Sequence, residues 1–182
     1  MLTRRTFLGA GGLGLAVVGV PAVGRAAATV EVAMRSDADG ADVWFDPIGV
    51  RLAPGDTVRW MVHQNAHTTT AYHPANANHP LRIPEAARPW DSGLLVEYGR
   101  QFEVTLTEEG VYDYFCAPFE AIGMVGRLVV GRPGGPGARP FDWFVGRAGA
   151  ADWRPVPPAA QRNFPAIQRI VEEGLVRRTK PS

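Results

Sequence analysis

The sequence has only one cysteine, Cys116, in 182 residues, which excludes an internal disulfide. It has almost no net charge: 19 Lys and Arg stand against 18 Asp and Glu, for a formal +1. That balance excludes a strongly basic nucleic-acid-binding face and an acidic tail. It has no apolar run long enough for a comfortable membrane span, which needs about 20 residues. The best candidate, from Gly9 to Val23, is short and rich in glycine. No internal repeat is present, and no hydrolytic constellation of side chains stands out.

Glycine and proline are plentiful, at 21 and 16 residues, and predict many turns. The N-terminus reads as an export signal. Thr3-Arg4-Arg5-Thr6-Phe7-Leu8 is a twin-arginine pattern, the apolar run follows, and Ala26-Ala27-Ala28 is a small-residue cleavage site. Cleavage after Ala28 removes three arginines and no acid, leaving a mildly acidic chain. The expected organisation is a signal over 1–28, a main domain over 29–131 and an extension over 132–182. Export places the mature chain in the periplasm or another extracytoplasmic space, with no membrane span. An exported protein with one odd thiol uses it outside the chain, in a reaction or on a metal.

Periodicity in the main domain is that of strands. Val30, Val32 and Met34 alternate with Thr29, Glu31 and Ala33. Val43-Trp44-Phe45 and Gly49 to Leu52 read as one strand broken at Pro47. Thr57 to His63 puts Val58, Trp60 and Val62 on one face, and Gln101 to Thr107 alternates Phe102, Val104 and Leu106. Val111 to Cys116 and Val125 to Val130 close the series. Short strands divided by Gly, Pro and Asp turns predict an all-β sandwich. The long connection from His73 to Asp91 is expected to carry a short helix near Pro84 to Ala87. The extension opens on Pro133-Gly134-Gly135-Pro136-Gly137, a linker composition. Further on, Ile167, Ile170, Val171 and Leu175 recur at helical spacing and predict one amphipathic helix packed back on the domain.

On the strand from Val111 to Cys116, alternation puts Tyr112, Tyr114 and Cys116 on one face, which two aromatics mark as the buried one. Cys116 then ends a strand beside the loop Cys116-Ala117-Pro118-Phe119-Glu120-Ala121-Ile122-Gly123-Met124. Thiolate and thioether are soft ligands that suit copper, and imidazole completes such a set. A buried structural cysteine with a core methionine is the alternative. Of the histidines, His63 is expected to face solvent. His73 and His79 each precede a proline and are expected on the surface.

Pro54-Gly55-Asp56-Thr57-Val58-Arg59-Trp60, followed by Asn65-Ala66-His67-Thr68, resembles the first half of the cupredoxin pattern. Asp91-Ser92-Gly93, Phe102, Gly110, Tyr112-x-Tyr114-x-Cys116 and Gly123-Met124-Val125-Gly126 resemble its second half, in order and at the expected spacing. The resemblance covers about residues 30 to 131 and is closest to plastocyanin, pseudoazurin and halocyanin-like bacterial proteins. It implies a Greek-key β-sandwich, an electron carrier rather than an enzyme, and a type 1-like copper site. Carried over by position, it implies His67, Cys116 and Met124 as metal ligands. It also implies a redox protein or a copper donor or acceptor as partner, and a monomer.

One position departs from the family. Its second histidine ligand stands three residues after the cysteine, where this chain has Phe119. Three outcomes follow. Another group takes the vacant corner: Glu120, His63, His73, His79, water or a small anion. Or a three-ligand site of His67, Cys116 and Met124 prefers Cu(I). Or the fold has lost its metal, with Phe119 plugging the gap, and serves as an accessory protein. Tyr72 and His73, after Thr68-Thr69-Thr70, are candidates to brace the copper loop.

Overall fold

A computed structural model of the chain describes residues 25–178. Of the export signal, residues 1–24 lie outside that range. Among the described residues no helix is long and apolar enough to cross a membrane.

Two sheets face each other. The first is ordered β2-β1-β4-β6, from Val43–Asp46, Thr29–Ser36, Asp56–Val62 and Gln101–Leu106. The second is ordered β5-β7-β8-β3-β9, from Thr70–Ala71, Gly110–Phe115, Val125–Val130, Gly49–Leu52 and Leu175–Val176. Strands β1 and β4 run parallel, as do β3 and β8, and the other pairs are antiparallel. The expected break at Pro47 is where the chain leaves the first sheet as β2 and enters the second as β3. The all-β sandwich expected from the periodicity is the fold observed.

Strand β4 shows why the pattern was readable. Its buried residues are Asp56, Val58, Trp60 and Val62, and the residues between them are half-buried. Trp60 forms the centre of the core, 5.3 Å from the Tyr114 ring and 5.5 Å from that of Trp90. Phe45 meets Tyr114 edge-on at 4.8 Å. Gly126, across the ladder from Tyr114, leaves room for that ring, because a Cβ there would lie 2.3 Å from the phenol.

Three expectations differ from the structure. The helix near Pro84 to Ala87 is a single turn closed by Ala87 N–H on Pro84 O at 2.9 Å. Pro89 keeps Arg88 out of helical backbone, so the segment has no length in which to propagate. The Pro133–Gly137 run is packed, not a free linker. Val111 N–H donates to Gly134 O, and a Cβ on Gly137 would strike the carbonyls of Val111 and Arg82 at 2.4 and 2.6 Å. The extension carries two short helices, α1 (Pro158–Asn163) and α2 (Ile167–Glu173), and Leu175 has left α2 for β9. Gly174, at φ 74°, ends α2 and turns the chain back to pair with β3. Ile167, Ile170 and Val171 do pack back on the domain, against Ile48, Val111, Val129 and Val176.

Candidate metal centre

Both faces of β7 are covered. Tyr112 and Tyr114 point between the sheets with Cys116, while Val111, Asp113 and Phe115 lie under the insertion and the extension. Cys116, one residue past the strand, is fully buried. From there the chain makes a short 3-10 helix, Ala117–Ile122, and turns at Gly123, whose φ of 98° favours glycine. The loop closes on itself. Cys116 N–H donates to Met124 O at 3.0 Å, Phe119 N–H to Cys116 O at 2.9 Å, and Met124 N–H to Phe119 O at 3.0 Å. Cys116 and Met124 are thereby brought side by side at the end of the core, with Met124 1 % exposed.

His67 arrives from the other sheet's side. It follows β4, exchanges backbone hydrogen bonds with Leu95 and is fully buried. Its Nδ1 lies 3.6 Å from Cys116 Sγ. A metal about 2.0 Å from nitrogen and about 2.3 Å from sulfur, at a trigonal angle, separates its two donors by about 3.7 Å. Its Nε2 is buried with no hydrogen-bond partner. An imidazole packed this way, with one nitrogen aimed at a thiol and a thioether close by, has the donor set of a copper site. Burial pushes the Cys116 thiol up to about 11 against opposing donation from Thr68, and burial also lowers His67.

Thr68 holds the sulfur. Its N–H points at Cys116 Sγ at 3.3 Å, and its hydroxyl accepts Ala117 N–H at 2.7 Å. Tyr72 also braces the loop, donating its hydroxyl to Glu120 Oε1 at 2.7 Å. His73 does not: its Nδ1 accepts Ala75 N–H within its own exposed turn.

Phe119 occupies the side of the site where the resemblance places a histidine, its ring 5.5 Å from that of His67. Glu120, His73 and His79, among the candidate replacements, are engaged elsewhere. Glu120 is bound by Tyr72 and by His79 Nε2 at 3.0 Å. His79, expected on the surface, is only 5 % exposed, stacked on Phe115 at 4.3 Å with Nδ1 against Asn76 O. His63 is half-buried rather than solvent-facing, with its Nε2 enclosed and its ring beside Tyr98. Among the described residues no three His, Cys, Asp or Glu side chains gather at one point. Of the three expected ligands, His67 and Cys116 meet through their side chains, Met124 joins Cys116 through the main chain, and the Phe119 ring lies beside His67.

The buried charges were missed at the sequence level. Asp113 is fully buried between Arg82 and Arg127, at 2.7 Å from each Nε. Nothing in the strand's alternation marks it, because an outward Asp reads as a solvated position. Arg82 and Arg127, at separations of 31 and 14 residues, give no local signal either.

A two-sheet sandwich that ends in a His–Cys–Met cluster is a cupredoxin arrangement. The family of copper-binding proteins typified by plastocyanin and azurin matches residues 32–131, and the chain belongs to it. Pseudoazurin of Methylorubrum extorquens is 30% identical over 133 residues, covering 72% of this chain and 80% of that protein. Halocyanin of Natronomonas pharaonis is 31% identical over 100 residues, covering 55% and 56%. A solved Sinorhizobium pseudoazurin superposes with a TM-score of 0.52 at 27% identity, covering 81% of this chain and 98% of that one. The long coverage of the pseudoazurin structure takes the similarity beyond the sandwich into the extension.

Proposed function

We propose that this chain is an exported copper-binding electron carrier of the cupredoxin type, with an altered site of His67, Cys116 and Met124. It works in the periplasm or an equivalent extracytoplasmic space, reached by the twin-arginine route, and exchanges electrons with a redox protein partner. It is a monomer with no catalytic residues, no nucleic-acid partner and no membrane span in the mature form. The observation that carries the reading is the 3.6 Å approach of His67 Nδ1 to Cys116 Sγ, both fully buried, with buried Met124 hydrogen-bonded to Cys116 along the main chain.

Copper, when bound, supplies the one-electron couple. The chain's own residues orient and insulate it. Cys116 contributes the thiolate, held in place by Thr68 N–H. His67 contributes Nδ1 and Met124 a weak thioether contact. Phe119 lies beside His67, its ring tilted 59° to the imidazole, where a second imidazole would bind, and adds no donor. A three-donor set of this softness favours the cuprous state.

Copper titration followed by absorption spectroscopy tests the reading. The protein should take up one copper per chain, and Cys116→Ser should abolish uptake. Phe119→His should add the missing corner and give Cu(II) an intense thiolate charge-transfer band in the red, well above the unsubstituted protein's. Failure of both the natural chain and Phe119→His to bind copper would overturn the assignment of His67, Cys116 and Met124.

A further inference from the structure

The ligand loop is gripped on its outer side at two points, by segments that contain none of the three ligands. At one point the insertion between β5 and β6 reaches Glu120. Tyr72 donates to one carboxylate oxygen at 2.7 Å, and His79 Nε2 stands 3.0 Å from the other. His79 is itself fixed, with Nδ1 2.5 Å from Asn76 O and its ring on Phe115. With Nδ1–H directed at that carbonyl, Nε2 must donate to Glu120 or find the carboxylate protonated. At the other point α1 lies on the 3-10 helix, and Asn163 Nδ2 donates to Gly123 O at 2.9 Å. The approach is close enough that a Cβ on Gly123 would lie 2.4 Å from Asn163 Nδ2 and 3.1 Å from Ala159 O.

Between these points the loop is stiff. Gly123 N–H donates to Glu120 O, and the next residue, Met124, is bonded through both its N–H and its C=O to Phe119 and Cys116. Holding Glu120 and Gly123 therefore holds Met124 and the turn that faces Cys116. We propose that Asn163 and His79 are positioning residues of the copper site, clamping the ligand loop in its metal-binding shape before copper arrives. This rests on the copper reading given above. In a site with only three donors, loss of loop order has no fourth ligand to offset it, and partners outside the ligand set commonly change metal affinity 10- to 100-fold.

The test combines two measurements on the full mature chain. Cu(I) affinity is read by competition with a chromophoric Cu(I) chelator, and exchange of the Gly123 and Met124 amides is read by NMR without copper. Asn163→Ala and His79→Leu should each weaken Cu(I) binding by about tenfold or more and speed exchange at both amides. His79→Gln, which keeps a donor facing Glu120, should recover most of the loss. Gln161→Ala, which removes a bond within the extension to Val156 O and none to the loop, should leave both readings unchanged. Natural affinity and protection in Asn163→Ala and His79→Leu would overturn the proposal, as would an equal loss in Gln161→Ala. If the natural chain takes up no copper, the copper reading fails and amide exchange alone decides the clamp.

Discussion

The two faces of β7 are buried by different means. Toward the first sheet, Tyr112 and Tyr114 pack with Trp60, Phe45 and Trp90, and the strand runs out at Cys116. Toward the insertion and the extension, Val111 meets Ile170, Phe115 meets Tyr72 at 4.6 Å, and Asp113 sits between two arginines. Those arginines reach on to main-chain carbonyls of the extension: Arg82 to Gly137 at 2.9 Å and Arg127 to Pro165 at 2.9 Å. Arg82 also lies over Phe141 and Arg127 over Phe164. The inner face is held by area and shape, the outer by a few directed contacts. An apolar face tolerates a lost polar atom, whereas a charge-centred face fails when one member is removed.

Breaking the centre of the outer face should have the largest effect. Asp113→Ala strands two buried guanidinium groups, and chemical denaturation should show a loss of about 3–5 kcal/mol. The extension should also become protease-sensitive; a loss under about 1 kcal/mol would mean that apolar contacts alone hold it. Next comes Ile170→Ala, which opens a cavity where the side chain now fills the space over Gly49. A cost of about 2–4 kcal/mol is expected from the same measurement.

The inner face is sharpened by pH at its metal end. Burial holds the Cys116 thiol up at about 11, so at neutral pH it is protonated and must release its proton to bind copper. His67, lowered by burial, is already neutral there and releases none. Cu(I) affinity should therefore rise about tenfold per pH unit from pH 7 upward, levelling near the thiol's own value. Flat affinity over pH 7 to 9 would mean that Cys116 is not the ligand. The smallest effect is expected from Tyr114→Phe. Its hydroxyl is buried without a partner, so stability should change by less than about 0.5 kcal/mol or rise.

The inner face was legible because alternation reports it directly. Val58, Trp60 and Val62 on β4, and Tyr112, Tyr114 and Cys116 at β7, fall on one side of a pleat whatever the rest of the chain does. The helical spacing of Ile167, Ile170 and Val171 was legible for the same reason. The outer face was not. An Asp at an outward position, a His before a proline and a Pro–Gly run all have surface composition. Asp113, His79 and, within the run, Pro136 and Gly137 are buried here only because a segment distant in sequence folds over them. His79 and Asn163 stand 41 and 40 residues from the loop atoms they touch.

By itself, the sequence determined the sandwich, the order of its strands along the chain and the candidate donors proposed for copper, together with the absence of a second histidine at Phe119. These are properties of residue identity and short-range period. The tertiary structure decided that Glu120 and His79 are engaged with each other, that His63 lies beside Tyr98, and that the extension is a cover over the second sheet. It also decided that the ligand loop is gripped from behind. Those outcomes depend on contacts between segments tens of residues apart, and hydrogen-bond geometry between such segments exists only once the chain has folded.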